Sequence, residues 1–194
     1  EIEAKFLNID TKKTRARLKE VGAVMQYGER LMKRKVFDYP DARLYKKGAW
    51  VRVRDEGDEK ITLSYKKLID RMLLGTKEIT LDVSDSKTAC DFLQACGFES
   101  KSYQETKREK WMLEESEITI DTWPWIPTFL EIESETEEEI HRISTLLGFD
   151  WSNALHGSVE TAYQDIFNVT EDEINSWEEI TFIPVPEWLE IKRK

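Results

Sequence analysis

Apolar and charged residues alternate at the start of the chain. In an extended strand, residues two apart share a face. Ile2, Ala4 and Phe6 therefore lie on one face, and Glu1, Glu3 and Lys5 on the other. The pattern predicts a strand over residues 1–8, after which Asp10 caps a helix that runs through Leu18 and Val21 to Gly22. The same ending recurs twice. Ser84 or Asp85 opens a helix closing at Gly97, and Ser134 or Thr136 opens one closing at Gly148. Strands are predicted over residues 31–37, 49–55, 60–67, 75–83, 103–113 and 117–122, with Pro40, Gly48, Gly57 and Gly75 as punctuation. Beyond these, the pattern predicts a helix over 157–167, a short helix from Thr170 through Trp177 and a last strand over 180–185.

The strands share a second property. Trp50, Arg52 and Arg54 oppose Val51 and Val53, and Thr62, Ser64 and Lys66 oppose Ile61, Leu63 and Tyr65. Glu78 and Asp82 oppose Ile79, Leu81 and Val83, while Arg108 and Lys110 share a face against Glu109 and Trp111. Asp121 opposes Ile118 and Ile120, and Glu131 and Glu133 oppose Leu130 and Ile132. One such strand signifies only a half-solvated sheet. Here the charges sort by sign, with paired acids on the first and last strands and bases on the middle ones. The Glu1-Ile-Glu3 and Glu131-Ile-Glu133 repeats each precede a predicted helix, a weak internal symmetry.

About eight strands suffice to close a barrel around a ligand cavity. A charged interior is costly unless something pairs with it. Acids facing bases would together hold a polyanion and its cations, and tripolyphosphate with Mg²⁺ or Mn²⁺ fits that description. Hard cations prefer carboxylate oxygens, which makes Glu1, Glu3, Asp121, Glu131 and Glu133 candidate metal ligands. Lys5, Arg52, Arg54, Lys66, Arg108 and Lys110 are candidate phosphate-binding residues.

Composition narrows the class. A length of 194 residues with 40% hydrophobic content fits one domain over 1–194, with a helical extension from about residue 168. The net charge of -10 argues against a nucleic-acid surface. No run approaches the roughly 20 apolar residues of a membrane helix, so neither nucleic acid nor membrane is an expected partner. Cys90 and Cys96 fall on different turns of one predicted helix, too far apart for a disulfide, which fits a reducing cytoplasm. His141 and His156 lie outside the charged strands and read as structural. A homodimer is the expected assembly on frequency alone.

The opening Glu1-Ile-Glu-Ala-Lys5 resembles the Glu-x-Glu-x-Lys signature of the CYTH superfamily, the triphosphate tunnel metalloenzymes. Arg52-x-Arg54, Lys66, Glu78, Arg108-x-x-Trp111, Asp121 and Glu131-x-Glu133 follow in the family's order along roughly residues 1–165. The resemblance implies an α+β fold, an eight-stranded antiparallel closed β-barrel tunnel flanked by helices. It also implies a divalent metal at the acids, Glu78 included, and a triphosphate along the bases, with Glu3, Glu133 and Lys66 as catalytic residues. The implied activity is hydrolysis of inorganic tripolyphosphate, thiamine triphosphate or a nucleoside triphosphate. Cyclisation of ATP by a class IV adenylyl cyclase is the alternative, and a non-enzymatic polyphosphate- or nucleotide-binding module is a second. Three features depart from the pattern. Thr106 stands where a Lys is expected two residues before Arg108, Arg34 stands where an Asp is expected, and the tail after about residue 168 has no counterpart.

Overall fold

The computed structural model describes residues 2–68 and 76–194. Glu1 and Gly75, both used in the sequence reading, lie outside the described residues. The elements in chain order are β1 (Ile2–Phe6), α1 (Thr11–Glu20), β2 (Val24–Asp38), β3 (Ala49–Asp55), β4 (Ile61–Leu68) and β5 (Thr76–Val83). They continue with α2 (Ser86–Ala95), β6 (Glu99–Leu113), β7 (Ser116–Thr122), β8 (Phe129–Ser134) and α3 (Glu137–Leu147). The tail carries α4 (Glu160–Ile166), α5 (Glu171–Asn175), β9 (Glu179–Ile180) and α6 (Glu187–Glu190).

Helices α1, α2, α3 and α5 begin where polar caps satisfy free N–H groups. Asp10 accepts hydrogen bonds from the Lys12 and Lys13 amides, Asp85 from Thr88 and Thr136 from Glu139. Thr170 and Glu173 form a reciprocal capping box at α5. Gly148 ends α3 in the left-handed region at φ 85°.

The strands form one sheet in the order β1-β8-β7-β6-β2-β3-β4-β5, every neighbouring pair antiparallel, with β9 added parallel to β6. The expectation of a closed barrel requires correction. Among the described residues β1 and β5 end the hydrogen-bonded path and do not pair with one another, so the sheet is open at that seam. Both edge strands nonetheless line one cavity, so the sheet curls around it.

The apolar faces point outward, and most are covered, although Ile79 and Leu81 of β5 stay more than half exposed. Ala4, Phe6, Trp111, Ile118, Ile120, Leu130 and Ile132 pack with Leu18 of α1 and Ile140, Ile143 and Leu147 of α3. Val51 and Val53 pack on Ala89, Cys90 and Leu93 of α2. The tail builds a third cluster in which Trp123, Phe129, Tyr163, Phe167, Ile174, Trp177 and Leu189 are buried together.

Strands β2 and β6 are each 15 residues long, well beyond their predicted spans. They pair with each other through register shifts between Met25 and Tyr27, Tyr27 and Arg30, and Val36 and Phe37, which blur the two-residue alternation. The predicted strand over 180–185 shrinks to Glu179–Ile180, because Pro184 and Pro186 lack the N–H a strand must donate. Among the described residues, no helix is long and apolar enough to cross a membrane. Cys90 and Cys96 are both free thiols.

Candidate active site

The charged faces turn inward. A cavity of about 1680 Å³ is lined by Glu3 and Lys5 of β1, Arg34 of β2, Arg52 and Arg54 of β3 and Lys66 of β4. Glu78 of β5, Arg108 of β6 and Glu131 and Glu133 of β8 complete its charged wall. Strand pairing explains how residues distant in sequence converge. The antiparallel β1–β8 register sets Glu3 directly opposite Glu133 and Lys5 opposite Glu131, so the start and the end of the charged pattern meet edge to edge.

One carboxylate oxygen from each of Glu3, Glu131 and Glu133 can be chosen so that all three lie within 4.8 Å of one another. Three oxygen donors that close suit a hard divalent cation. Lys5 is nearly fully buried beside them, its Nζ 2.7 Å from Glu3 Oε1 and 3.1 Å from Glu131 Oε2. Burial works against the Lys5 ammonium, but Glu131 and then Glu3 outweigh it and hold the group above its ordinary pKa. Burial and the Glu131 charge push the Glu3 carboxyl up, with Lys5 opposing them. Burial also pushes Glu131 up, but Lys5 and Arg108 together hold it below the usual carboxylate range.

Arg108 is gripped from beneath. Its Nε and Nη2 each donate to Asp121 at 2.7 Å, and its Nη2 also lies 3.4 Å from Glu131. Asp121 is 1% exposed and accepts a further bond from Thr119 Oγ1 at 2.7 Å. It does not line the cavity, so its place is under Arg108 and not among the three clustered carboxylates. Glu78 also stands apart from that cluster: its carboxylate lies 2.6 Å from Lys66 Nζ and 3.6 Å from Arg52 Nη2. Lys110 is paired with Glu117, which sits opposite Glu133, and does not line the cavity.

The basic wall is crowded with like charge. Arg52 is 7% exposed, and its Nε has no hydrogen-bond partner. Burial and the neighbouring Arg54 lower its pKa to about 9. Lys66 is also lowered, by burial and then by Arg52, despite its bond to Glu78. Arg54 is tied to Glu56 at 2.7 Å.

Sequence reasoning treated Arg34 only as a departure from a pattern, yet it lines the cavity. Its Nη2 donates to Thr106 Oγ1 at 2.8 Å, which brings the two departures, Arg34 and Thr106, into contact. A local signal existed. Arg34 is the one charge between Met32 and Val36 on a strand face whose opposite positions 33 and 35 are lysines. The aromatic residues Trp123 and Trp125 serve packing: Trp123 is 7% exposed and meets Tyr163 edge to face, while Trp125 meets Trp177 and Trp188. His141 and His156 both pack on Trp151.

The tail completes the cavity. Residue Leu155 exchanges two backbone hydrogen bonds with Lys5, and α5 and β9 contribute Glu171, Asp172, Ile174 and Ile180 to the lining. Ser102 of β6 donates to the Trp177 carbonyl at 2.8 Å, which anchors this segment.

Known structures share this fold. A candidate adenylate cyclase from Vibrio parahaemolyticus superposes with a TM-score of 0.71 at 14% identity, covering 84% of this chain and 97% of its own. A Pyrococcus horikoshii protein gives 0.68 at 20% identity, covering 84% and 98%. A candidate adenylyl cyclase from Hippeastrum, reported to have a dominant triphosphatase activity, gives 0.55 at 13% identity, covering 90% and 94%. At these identities the likeness establishes the fold. No curated protein sequence matches the chain significantly. The CYTH domain family model matches residues 1–146, three quarters of the length, and with it the chain belongs to the CYTH domain family.

Proposed function

We propose that the chain is a divalent-metal-dependent hydrolase of a small-molecule triphosphate. The observation that carries this reading is the juxtaposition, in one cavity, of the Glu3, Glu131 and Glu133 carboxylates with Lys5, Arg52, Arg54, Lys66 and Arg108. The bases alone would suit any polyanion. A compact group of acids beside them suits the cations that accompany such an anion.

Glu3, Glu131 and Glu133 would hold Mg²⁺ or Mn²⁺, whose charge offsets that of the phosphoryl oxygens and polarises the phosphorus. Arg52, Arg54, Lys66 and Arg108 bind the phosphoryl oxygens and stabilise charge that develops on them. Asp121 positions the Arg108 guanidinium by its two-point grip. Lys5 keeps Glu3 and Glu131 oriented toward each other. Of Glu3 and Glu133, which face one another across the β1–β8 pair, the one with a carboxylate oxygen free of the cation would orient the attacking water and take its proton.

The test is incubation of the protein with Mg²⁺ or Mn²⁺ and, separately, tripolyphosphate, thiamine triphosphate, ATP and GTP. Released phosphate, pyrophosphate and cyclic AMP are followed together. Phosphate release abolished by EDTA, and reduced about 100-fold or more in Glu133→Gln, is the expected result. Cyclic AMP with pyrophosphate would make the protein a cyclase. Binding of a triphosphate without turnover would make it a binding module.

A further inference from the structure

Among the cations of the cavity wall that are at least half-buried, Arg34 is the one with no carboxylate within ion-pair distance among the described residues; Lys46, which also lacks one, is exposed to solvent. Lys5 has Glu3 and Glu131, Arg52 and Lys66 have Glu78, Arg54 has Glu56, and Arg108 has Asp121 and Glu131. The Arg34 contacts are neutral: one hydrogen bond to Thr106, and the Trp123 ring, whose centroid lies 4.7 Å from its guanidinium carbon. Its Nε is buried without any hydrogen-bond partner.

The surroundings make this arrangement costly. In the antiparallel β2–β3 register Arg34 sits directly opposite Arg54, a like-charge pair that destabilises a sheet. Burial, then Arg52, Arg54 and Arg108, push the guanidinium well below its ordinary pKa. Arg52 repeats the pattern with its own unpartnered Nε. A half-buried cation facing other cations, with a buried donor left over, is the free-protein half of an anion site.

We propose that Arg34 is a further substrate-binding residue, donating to an anionic oxygen of the bound triphosphate from the floor that Thr106 and Trp123 provide. The assignment rests on the reading of the cavity as a triphosphate site. It also gives Thr106 a role, since its hydroxyl steers the guanidinium inward without neutralising it. A Lys at position 106 would bring an ammonium to the same place from the adjoining strand, because the Thr106 oxygen is already within 2.8 Å of the Arg34 nitrogen.

The experiment is titration calorimetry of inorganic tripolyphosphate in EDTA, with the thermal midpoint of each free protein as companion. For Arg34→Met the dissociation constant should rise about 10- to 100-fold, the loss of one or two charged hydrogen bonds. The double variant Arg34→Met with Thr106→Lys should recover most of that loss. The free Arg34→Met protein should melt at or above the wild-type temperature, because an unpaired cation opposite Arg54 has been removed. Should Arg34→Met not fold, Arg34→Gln keeps a donor for Thr106 and carries the same expectation. Wild-type binding left unchanged by the substitutions, or lost without recovery by Thr106→Lys, would overturn the role of Arg34 and leave the triphosphate reading standing. A wild-type protein that binds no tripolyphosphate would instead overturn both.

Discussion

Glu78 shows how a single side chain on this wall is tuned. Burial raises its pKa, but the hydrogen bonds from Lys66 and Thr80 outweigh burial and bring it from the ordinary 4.5 down to about 2. A carboxylate with a depressed folded pKa contributes stability above its unfolded pKa, and that contribution disappears as pH falls through the folded value. Glu78→Gln should therefore melt below the wild type at pH 7. The gap between the two should close as pH is taken from about 4.5 toward 2. Thermal melts across that interval check it, and a gap that stayed constant would mean that the carboxylate charge contributes nothing. At this scale much of the site was legible. Glu3, Lys5, Arg52, Arg54, Lys66, Glu78, Arg108, Glu131 and Glu133 were all read from two-residue alternation, and all line the cavity. Asp121 and Lys110 share that alternation but not the lining. Alternation reports the face of a strand and not depth, and both are held by local partners, Arg108 and Glu117. Arg34 was read only as a departure from the family's pattern, and its apolar neighbours on that face, Met32 and Val36, gave no run of charges to mark it.

At the scale of elements, the boundaries of α1, α2, α3 and α5 followed from caps that act within one turn, whereas α4 and α6 lack a side-chain cap and strand lengths depended on partners the sequence does not display. Strands β2 and β6 extend each other because each supplies the other's hydrogen bonds along nearly all of its length, through register shifts that mask periodicity. The outward faces explain how α1 docks. Glu109 on β6 is 3% exposed, yet it accepts from Arg15 Nε at 2.9 Å and from Trp111 Nε1 at 2.7 Å. Arg15 thus carries the charge compensation for a carboxylate inserted between helix and sheet. Arg15→Leu should cost about 2 kcal/mol, the range for a hydrogen bond to a charged group. Adding Glu109→Gln should restore part of that loss, since the amide oxygen still accepts from Trp111 and no charge is left buried. Urea unfolding of the two variants checks this, and a double variant less stable than Arg15→Leu alone would refute the account.

Across the whole molecule, the charges are segregated. The chain carries a net charge of -10, yet five cavity-lining cations, Arg34, Arg52, Arg54, Lys66 and Arg108, come from adjoining or neighbouring strands. The curled sheet, the helices packed on its outside and the tail wrapped across Lys5 hold these groups together against their mutual repulsion. An anion that enters should relieve that repulsion and stabilise the fold. With the metal removed by EDTA, tripolyphosphate at one hundred times its dissociation constant should add about 2.7 kcal/mol, which for a chain of this size raises the thermal midpoint by roughly 5–10 °C. Sodium chloride at equal ionic strength should give a much smaller rise, because screening weakens exposed charges more than buried ones. The gain from tripolyphosphate should also shrink as salt is added, since the free anion must leave a more strongly screened solution to bind. Equal effects from chloride and tripolyphosphate would show that the cations respond only to screening, and the cavity would then have no claim to be a built anion site.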